Sequence, residues 1–426
     1  MITVLLWLLA AGLVAIVVYT IGRLLLDVRA LFAERSRGAA SGALPPLTRD
    51  VKALSIAAQL GFLIALVAVF AFLWSNFLDR ANQINLNLSF DFLDQPGNIS
   101  IADNPLTPAD TVAEAITAAF GNTVRIIVVG IPLALAVGIL IGIARLSSNW
   151  LLSKMATGYV EFFRNIPPLV VIVFVWSAFL QLPTAQEPWR PFGGWLIINN
   201  SRFAIPSVKG LDNFETFRWL LLAALIAAIA VGWWRTRVFN LTGTPHRRAV
   251  WAIGVFLAIA AVSFVALGGP AEPSKPLLDE TGRIYTDGFR IQMPYAALTL
   301  ALIIYTSTHI SEIVRGSILA VPKGQSEAGN ALALSAIQRY RFVILPQALR
   351  IAFPPLINQF LNFSKNSSLA IAIGFAETTS VINNLFGQSQ PVPQLVLILA
   401  LLYLTLSLIL SAIGNVINSR LQIVGR

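Results

Sequence analysis

Cysteine is absent from this chain of 426 residues, which excludes disulfides, thiolate metal sites and cysteine nucleophiles together. Histidine is nearly absent: His246 and His309 are the only two, so no H-E-x-x-H zinc centre and no His-rich metal site can be built. No Gly-Lys dipeptide occurs, which removes the phosphate-cradling G-x-x-x-x-G-K-[ST] loop; energy from ATP has to come through another polypeptide. Charge is scarce as well, with 12% charged against 56% hydrophobic residues and a mean hydropathy of +0.74. Such a chain is too apolar for a soluble globule and reads as an integral membrane protein. The net charge of +10 does not argue for nucleic acid, because Lys and Arg gathered in cytoplasmic loops account for it. No catalytic set and no metal site emerge.

What the sequence does contain is a succession of apolar runs. Ile2–Gly22 is about 20 residues long and is followed by Arg23, Arg29, Arg35 and Arg37, which predicts an uncleaved anchor with its N-terminus outside. A Gly/Ala/Ser/Pro-rich linker, Gly38–Pro46, leads to a second span at about Ser55–Leu78. The acidic stretch Asp79–Ala119 reads as an external loop. Spans follow at Asn122–Ala144 and Ile166–Leu180, with Arg145, Lys154 and Arg164 marking a cytoplasmic turn between them. Phe217–Trp234 and Ala249–Leu267 form a hairpin whose connector carries Arg235, Arg237, His246, Arg247 and Arg248, the most basic in the chain. Packing and lipid contact are the expected roles of this hairpin. Pro294–Ser311, Leu349–Phe375 and Val392–Val416 complete about nine spans, with every basic connector on one side and the C-terminus cytoplasmic.

Between the spans Pro294–Ser311 and Leu349–Phe375 lies a polar island. Pro322–Pro346, about 25 residues too polar to cross a membrane, carries Lys323, Arg339 and Arg341 against Glu327 alone. Its two Pro residues and strong helix formers predict two short amphipathic helices at the membrane surface, although an ordinary basic loop would carry the same charge. The island resembles the EAA loop of binding-protein-dependent ABC importer permeases. Glu327, Ala328 and Gly329 fill the E-A-A slots, Ala333 the glycine slot, Val343 the isoleucine slot, and Leu345-Pro346 the end. Tyr159–Pro167 (YVEFFRNIP) and Asn122-Thr123 resemble strings of polar amino-acid permeases, and Phe92–Pro96 (FLDQP) is similar to the general L-amino-acid and glutamate branch.

That resemblance implies an all-α membrane protein with a five-helix type I ABC importer core, extra N-terminal helices and an inserted hairpin. The expected division is residues 1–50 as anchor and linker, 51–119 as second helix and external loop, and 120–418 as the transmembrane domain, interrupted at about 183–293. It further implies a bacterial inner-membrane permease for amino acids that works with a second permease or a copy of itself. Two ATPase subunits holding ATP and Mg inside, and a solute-binding protein outside, complete the implied assembly. In the family the loop is a coupling helix seated in the ATPase, so Glu327, Ala328, Gly329, Ala333, Leu345 and Pro346 are the expected coupling residues. Because alanine enters positive φ less freely than glycine, the turn at Ala333 is expected to shift, for example to Gly329.

Polar residues at membrane depth are costly and mark a path or helix-to-helix bonds. Thr308, His309 and Ser311 on one span and Asn358, Asn362 and Lys365 on the next are the candidates for a substrate path. His309 can donate to a substrate carboxylate or bond a neighbouring helix, and both readings stay open. Pro354-Pro355 is expected to kink its span, and Glu312 and Arg315, one turn apart, to form an intrahelical ion pair. Relatives often read L-K-D-T-S where this chain has Ser364–Ser368, so Asn366 stands in for an acid. A secondary transporter is the rival reading; it would show an internal repeat and buried acids, and neither is visible in the spans drawn here. A permease of the same mechanism for another small polar solute is the second.

Overall fold

The computed structural model describes residues 50–421 except 85–87, 103, 105, 243–246, 279–284 and 389, together with 19–23, 26–30 and 33. Most of the expected first span and the linker after it lie outside the described residues. The other eight expected spans each coincide with helical structure: six helices are long and apolar enough to cross a membrane, and two bent helix pairs raise the total to eight among the described residues. The chain forms two compact units, one from the chain up to Val173 and from Leu298 onward, the other Phe174–Ala297.

In the first unit, α1 (Val51–Gln83) is capped by Asp50, whose carboxylate accepts the Lys52 N–H at 3.0 Å; of its residues only Ala81 is buried. α2 (Val112–Arg145) starts ten residues before the expected span at Asn122. The extra turns come from the segment read as external loop, because Thr111 and Glu114 close a capping box there: the Glu114 N–H bonds the Thr111 hydroxyl at 3.3 Å and the Thr111 N–H bonds the carboxylate at 2.9 Å. At 1.5 Å per residue, α2 is about 50 Å long, more than a bilayer's hydrocarbon core needs. Its surplus end packs with Phe92, Leu93, Val381, Ile382 and Leu395 into a hydrophobic cluster. The FLDQP string is thus a core-forming plug, Phe92 and Leu93 both being buried.

Further along α2, Gly130, Ala134, Gly138 and Gly142 recur at every fourth position and are all buried. A methyl at Gly130 would lie 2.2 Å from the Phe363 ring, and one at Gly138 would lie 2.5 Å from Ile310 Cγ2. In a membrane, where lipid is as apolar as leucine, such small residues let helix backbones approach and gain dispersion contacts.

The expected turn between α2 and the next span is itself a helix. α3 (Trp150–Arg164, 15 residues) is followed by α4 (Pro168–Leu180, 13 residues) at a bend of 106°. Asn165-Ile166-Pro167 makes the break, since Pro disfavours helical backbone at the residue before it. α4 alone, about 20 Å long, is too short to cross a bilayer.

The second unit contains α5 (Phe214–Thr242) and α6 (Arg248–Ala266), joined by an edge contact of Phe217 and Phe264 with ring centres 5.8 Å apart. Its described residues also hold seven short strands. β2 (Arg202–Ile205) pairs antiparallel with β1 (Ile197–Ile198) and β7 (Phe289–Gln292); β3 (Ser207–Gly210) pairs with β4 (Ala271–Ser274), and β5 (Leu277–Leu278) with β6 (Tyr285–Asp287). Asp287 accepts from the Ser274 hydroxyl and the Gly288 N–H, both at 2.8 Å, and these bonds hold its carboxyl below the usual range.

From α7 (Met293–Leu319) the chain enters α8 (Lys323–Ala331) and α9 (Ala336–Arg339). A π-helical turn, Tyr340–Ile344, then leads into α10 (Leu345–Asn366). α10 continues through Pro354-Pro355; the 46° bend of that span falls after Ile373, where Gly374 adopts φ +69°. α11 (Thr378–Gly387) and α12 (Val392–Leu421) follow.

Candidate functional site

The polar island folds as the two helices α8 and α9. Their turn sits at Ala333 itself, with φ +54°, and the shift to Gly329 does not occur. The Ala333 N–H bonds Asn330 O at 2.9 Å and the Leu334 N–H bonds Gly329 O at 3.1 Å, the paired bonds of a Schellman C-cap, whose left-handed position is filled here by alanine. Those carbonyl bonds over-determine the turn and hold alanine where glycine is the usual occupant. Gly329 is buried inside α8, and a Cβ on it would come within 3.1 Å of Arg339 Cγ. Arg339 of α9 reaches across to the Asn330 side chain of α8, and Gln347 Nε2 at the start of α10 donates to Gln325 Oε1 of α8 at 3.1 Å, so α8 is clasped to α9 and to α10. Ser335 starts α9 with a capping box to Gln338.

Glu327, Ala328 and Ala333 are exposed, Leu345 is just exposed and Pro346 is half-buried. Beside them Leu332 and Ile337 stand 75% and 79% exposed. Apolar side chains this bare on a polar helix pair suit contact with another protein or with the membrane surface.

Behind the island, Glu312 on α7 pairs with Arg315 as expected, its Oε2 accepting from Nε at 3.3 Å. It also pairs with Arg145 at the end of α2, which ties the two helices together. Tyr159 of the YVEFFRNIP string donates to Ile304 O at 2.9 Å and lies 2.9 Å from the Ser307 hydroxyl, anchoring α3 to α7.

The polar belt divides into two groups. Thr308 and Ser311 are fully buried; Thr308 bonds Tyr305 O on its own helix at 2.7 Å, and the Ser311 hydroxyl has no partner among the described residues. His309 is half-buried, edge-on to Tyr305 with ring centres 4.9 Å apart. Asn358, Asn362 and Lys365, spaced i, i+4 and i+7, are exposed along one face of α10. Among the described residues no hydrogen bond or ring contact links His309 to these three.

Sequence reading missed a buried carboxylate. Glu377, in the break between Gly374 and α11, is 0% exposed. It accepts from the Ser380 N–H at 2.9 Å and the Tyr403 hydroxyl at 3.0 Å, with the Thr123 hydroxyl 3.3 Å away. Thr123 also lies 2.7 Å from the Thr378 hydroxyl, and Asn122 donates to Ala376 O at 2.8 Å. The Asn122-Thr123 pair therefore fastens α2 to the break in the following span. One signal was available: Glu377 is the sole Asp or Glu after Glu327.

A family model described as binding-protein-dependent transport system inner membrane component matches residues 249–423. The chain is also similar to the general L-amino acid transport system permease protein AapQ of Rhizobium johnstonii, 37% identical over 381 residues covering 88% of this chain and 94% of that one. This chain belongs to the ABC-transporter permeases of that family. Other similar permeases are the putative amino-acid ABC transporter permease protein YhdX of Escherichia coli, 34% identical over 86% of this chain and 94% of that one. The glutamate/glutamine/aspartate/asparagine transport system permease protein BztB of Rhodobacter capsulatus is 30% identical over 88% of this chain and 96% of that one. As an ABC permease the chain is a multi-pass inner-membrane transport subunit and not an enzyme.

Proposed function

We propose that this permease forms half of the translocation path of an ATP-driven amino-acid importer. It pairs with a second permease, or with a copy of itself, and is driven by two ATPase subunits that hold ATP and Mg; an external solute-binding protein delivers the amino acid. The N-terminus lies outside and the C-terminus in the cytoplasm. The observation that carries the reading is the clasped pair α8 and α9, presented between two spans with Glu327 exposed and Leu332 and Ile337 bare. Closure of the ATPase dimer would draw such helices together, and α10, continuous with the pair through the π-helical turn, would carry the movement to the path. Amino acids as substrates are supported by the similarity to AapQ, YhdX and BztB.

The test is Glu327→Lys, a charge reversal on an exposed helix that leaves packed spans untouched. A loss of about 1.4 kcal/mol in docking is a tenfold loss in affinity. ATP-driven amino-acid uptake should fall by about that factor while the permease stays in the membrane at wild-type amount. Undiminished uptake would refute the coupling role.

A further inference from the structure

We propose that the groove between α5 and α6 binds an anionic phospholipid, with an acyl chain along the groove and the phosphate at the basic end of the hairpin. The groove is about 420 Å³. It is lined by Leu225, Ala228, Gly232, Ala249, Ala252 and Phe256, with Arg248 as its one charged residue. The two helices come close at Gly232, where an added Cβ would sit 3.7 Å from the Ala252 Cβ, and small side chains on both keep the groove open. A groove so apolar suits hydrocarbon.

The end with Arg248 is built for a headgroup. The Arg235 guanidinium lies 5.9 Å from the Trp234 ring and 5.4 Å from that of Trp251, and Arg237 lies 5.6 Å from Trp233. Tryptophans beside arginines mark the headgroup layer of a bilayer. Between Glu215 and Glu272 the sequence holds no acid, and Glu215, the acid at the start of α5, pairs with Arg218 at 2.9 Å. Arg248 pairs with no carboxylate among the described residues. Charge complementarity thus calls for an anion, and the apolar groove that ends there calls for one carrying an acyl chain. Loop charge that served only to orient the hairpin would need no groove. The proposal is independent of the solute transported.

The full transporter, in vesicles, would be labelled with a phosphatidylglycerol bearing a photoactivatable acyl chain, with unlabelled phosphatidylglycerol or phosphatidylcholine as competitor. Labelled peptides are expected from α5 and α6, competed better by phosphatidylglycerol. A basic residue near an anionic surface contributes about 1 kcal/mol, so Arg248→Gln should cut labelling about fivefold, and Arg248→Lys should restore it. Equal competition by the two lipids, or labelling unchanged in Arg248→Gln, would overturn the proposal; so would single cysteines at Ala249 cross-linking to a helix of another subunit, since the chain has no native cysteine. If Arg248→Gln fails to assemble, the competition arm on the unaltered chain decides.

Discussion

Replacing Ala333 by glycine should tighten the turn between α8 and α9. An L-residue in the left-handed region costs about 1–2 kcal/mol, and Ala333 sits there at φ +54°. Glycine escapes that cost but brings its own, since the freer unfolded chain loses about 0.4–1 kcal/mol more on ordering. The difference favours Ala333→Gly by about 0.5–1 kcal/mol, a factor of about two to five in the closed-to-open ratio of the turn. The reporters are the amides of Leu332, Ala333 and Leu334, which bond Ala328 O, Asn330 O and Gly329 O at 3.1, 2.9 and 3.1 Å. Hydrogen exchange of this segment in the purified transporter should slow by about that factor in the variant. Exchange that stays the same or quickens would mean that alanine is not strained in this turn.

Gly138→Ala places a methyl 2.5 Å from Ile310 Cγ2, and the overpacking cost of about 1–3 kcal/mol exceeds the roughly 1 kcal/mol that alanine gains in a helix. The thermal midpoint of the assembled transporter should fall, and an unchanged midpoint would show that α2 and α7 are not in tight contact there. Glu377→Ala leaves the Ser380 N–H without its acceptor, at a cost of about 1–3 kcal/mol, and takes from the Tyr403 hydroxyl the nearer of two partners, the Thr379 hydroxyl at 3.2 Å being the other. Tyr403→Phe and Glu377→Ala each break the same bond, so the double variant should be more stable than the sum of the two losses predicts; strictly additive losses would deny the contact.

Much of this architecture is written in the sequence because bilayer thickness sets a length that apolar runs must meet. The positions of α1, α5, α6 and α12 follow from that alone. Structure that depends on distant partners was not legible. The 106° break before α4 was hidden because an apolar run of 15 residues beside a basic one reads as a span and its loop, and nothing local says that the loop is a helix. Strands of two to four residues are too short for alternation to show. The turn at Ala333 is a different case: its bonds to the carbonyls of Asn330 and Gly329 are local, and alanine's reluctance to enter positive φ pointed away from it.

The polar belt is where sequence and structure diverge in an informative way. As a list of residues, Thr308, His309, Ser311, Asn358, Asn362 and Lys365 formed one set, because polarity at membrane depth was their shared property. In the fold, Thr308 and Ser311 face packed neighbours, whereas Asn358, Asn362 and Lys365 line an open face of α10 with no side-chain hydrogen bond among the described residues. Two asparagine amides and an ammonium turned outward in a hydrocarbon layer would each cost several kcal/mol, so this face has to meet water or polar protein. In the proposed importer, a partner permease along α10 would supply that setting: each would contribute one polar face, and the space between them would be the path. On that proposal the buried hydroxyls of α7 would serve the packing of the core, and the solute would meet Asn358, Asn362 and Lys365.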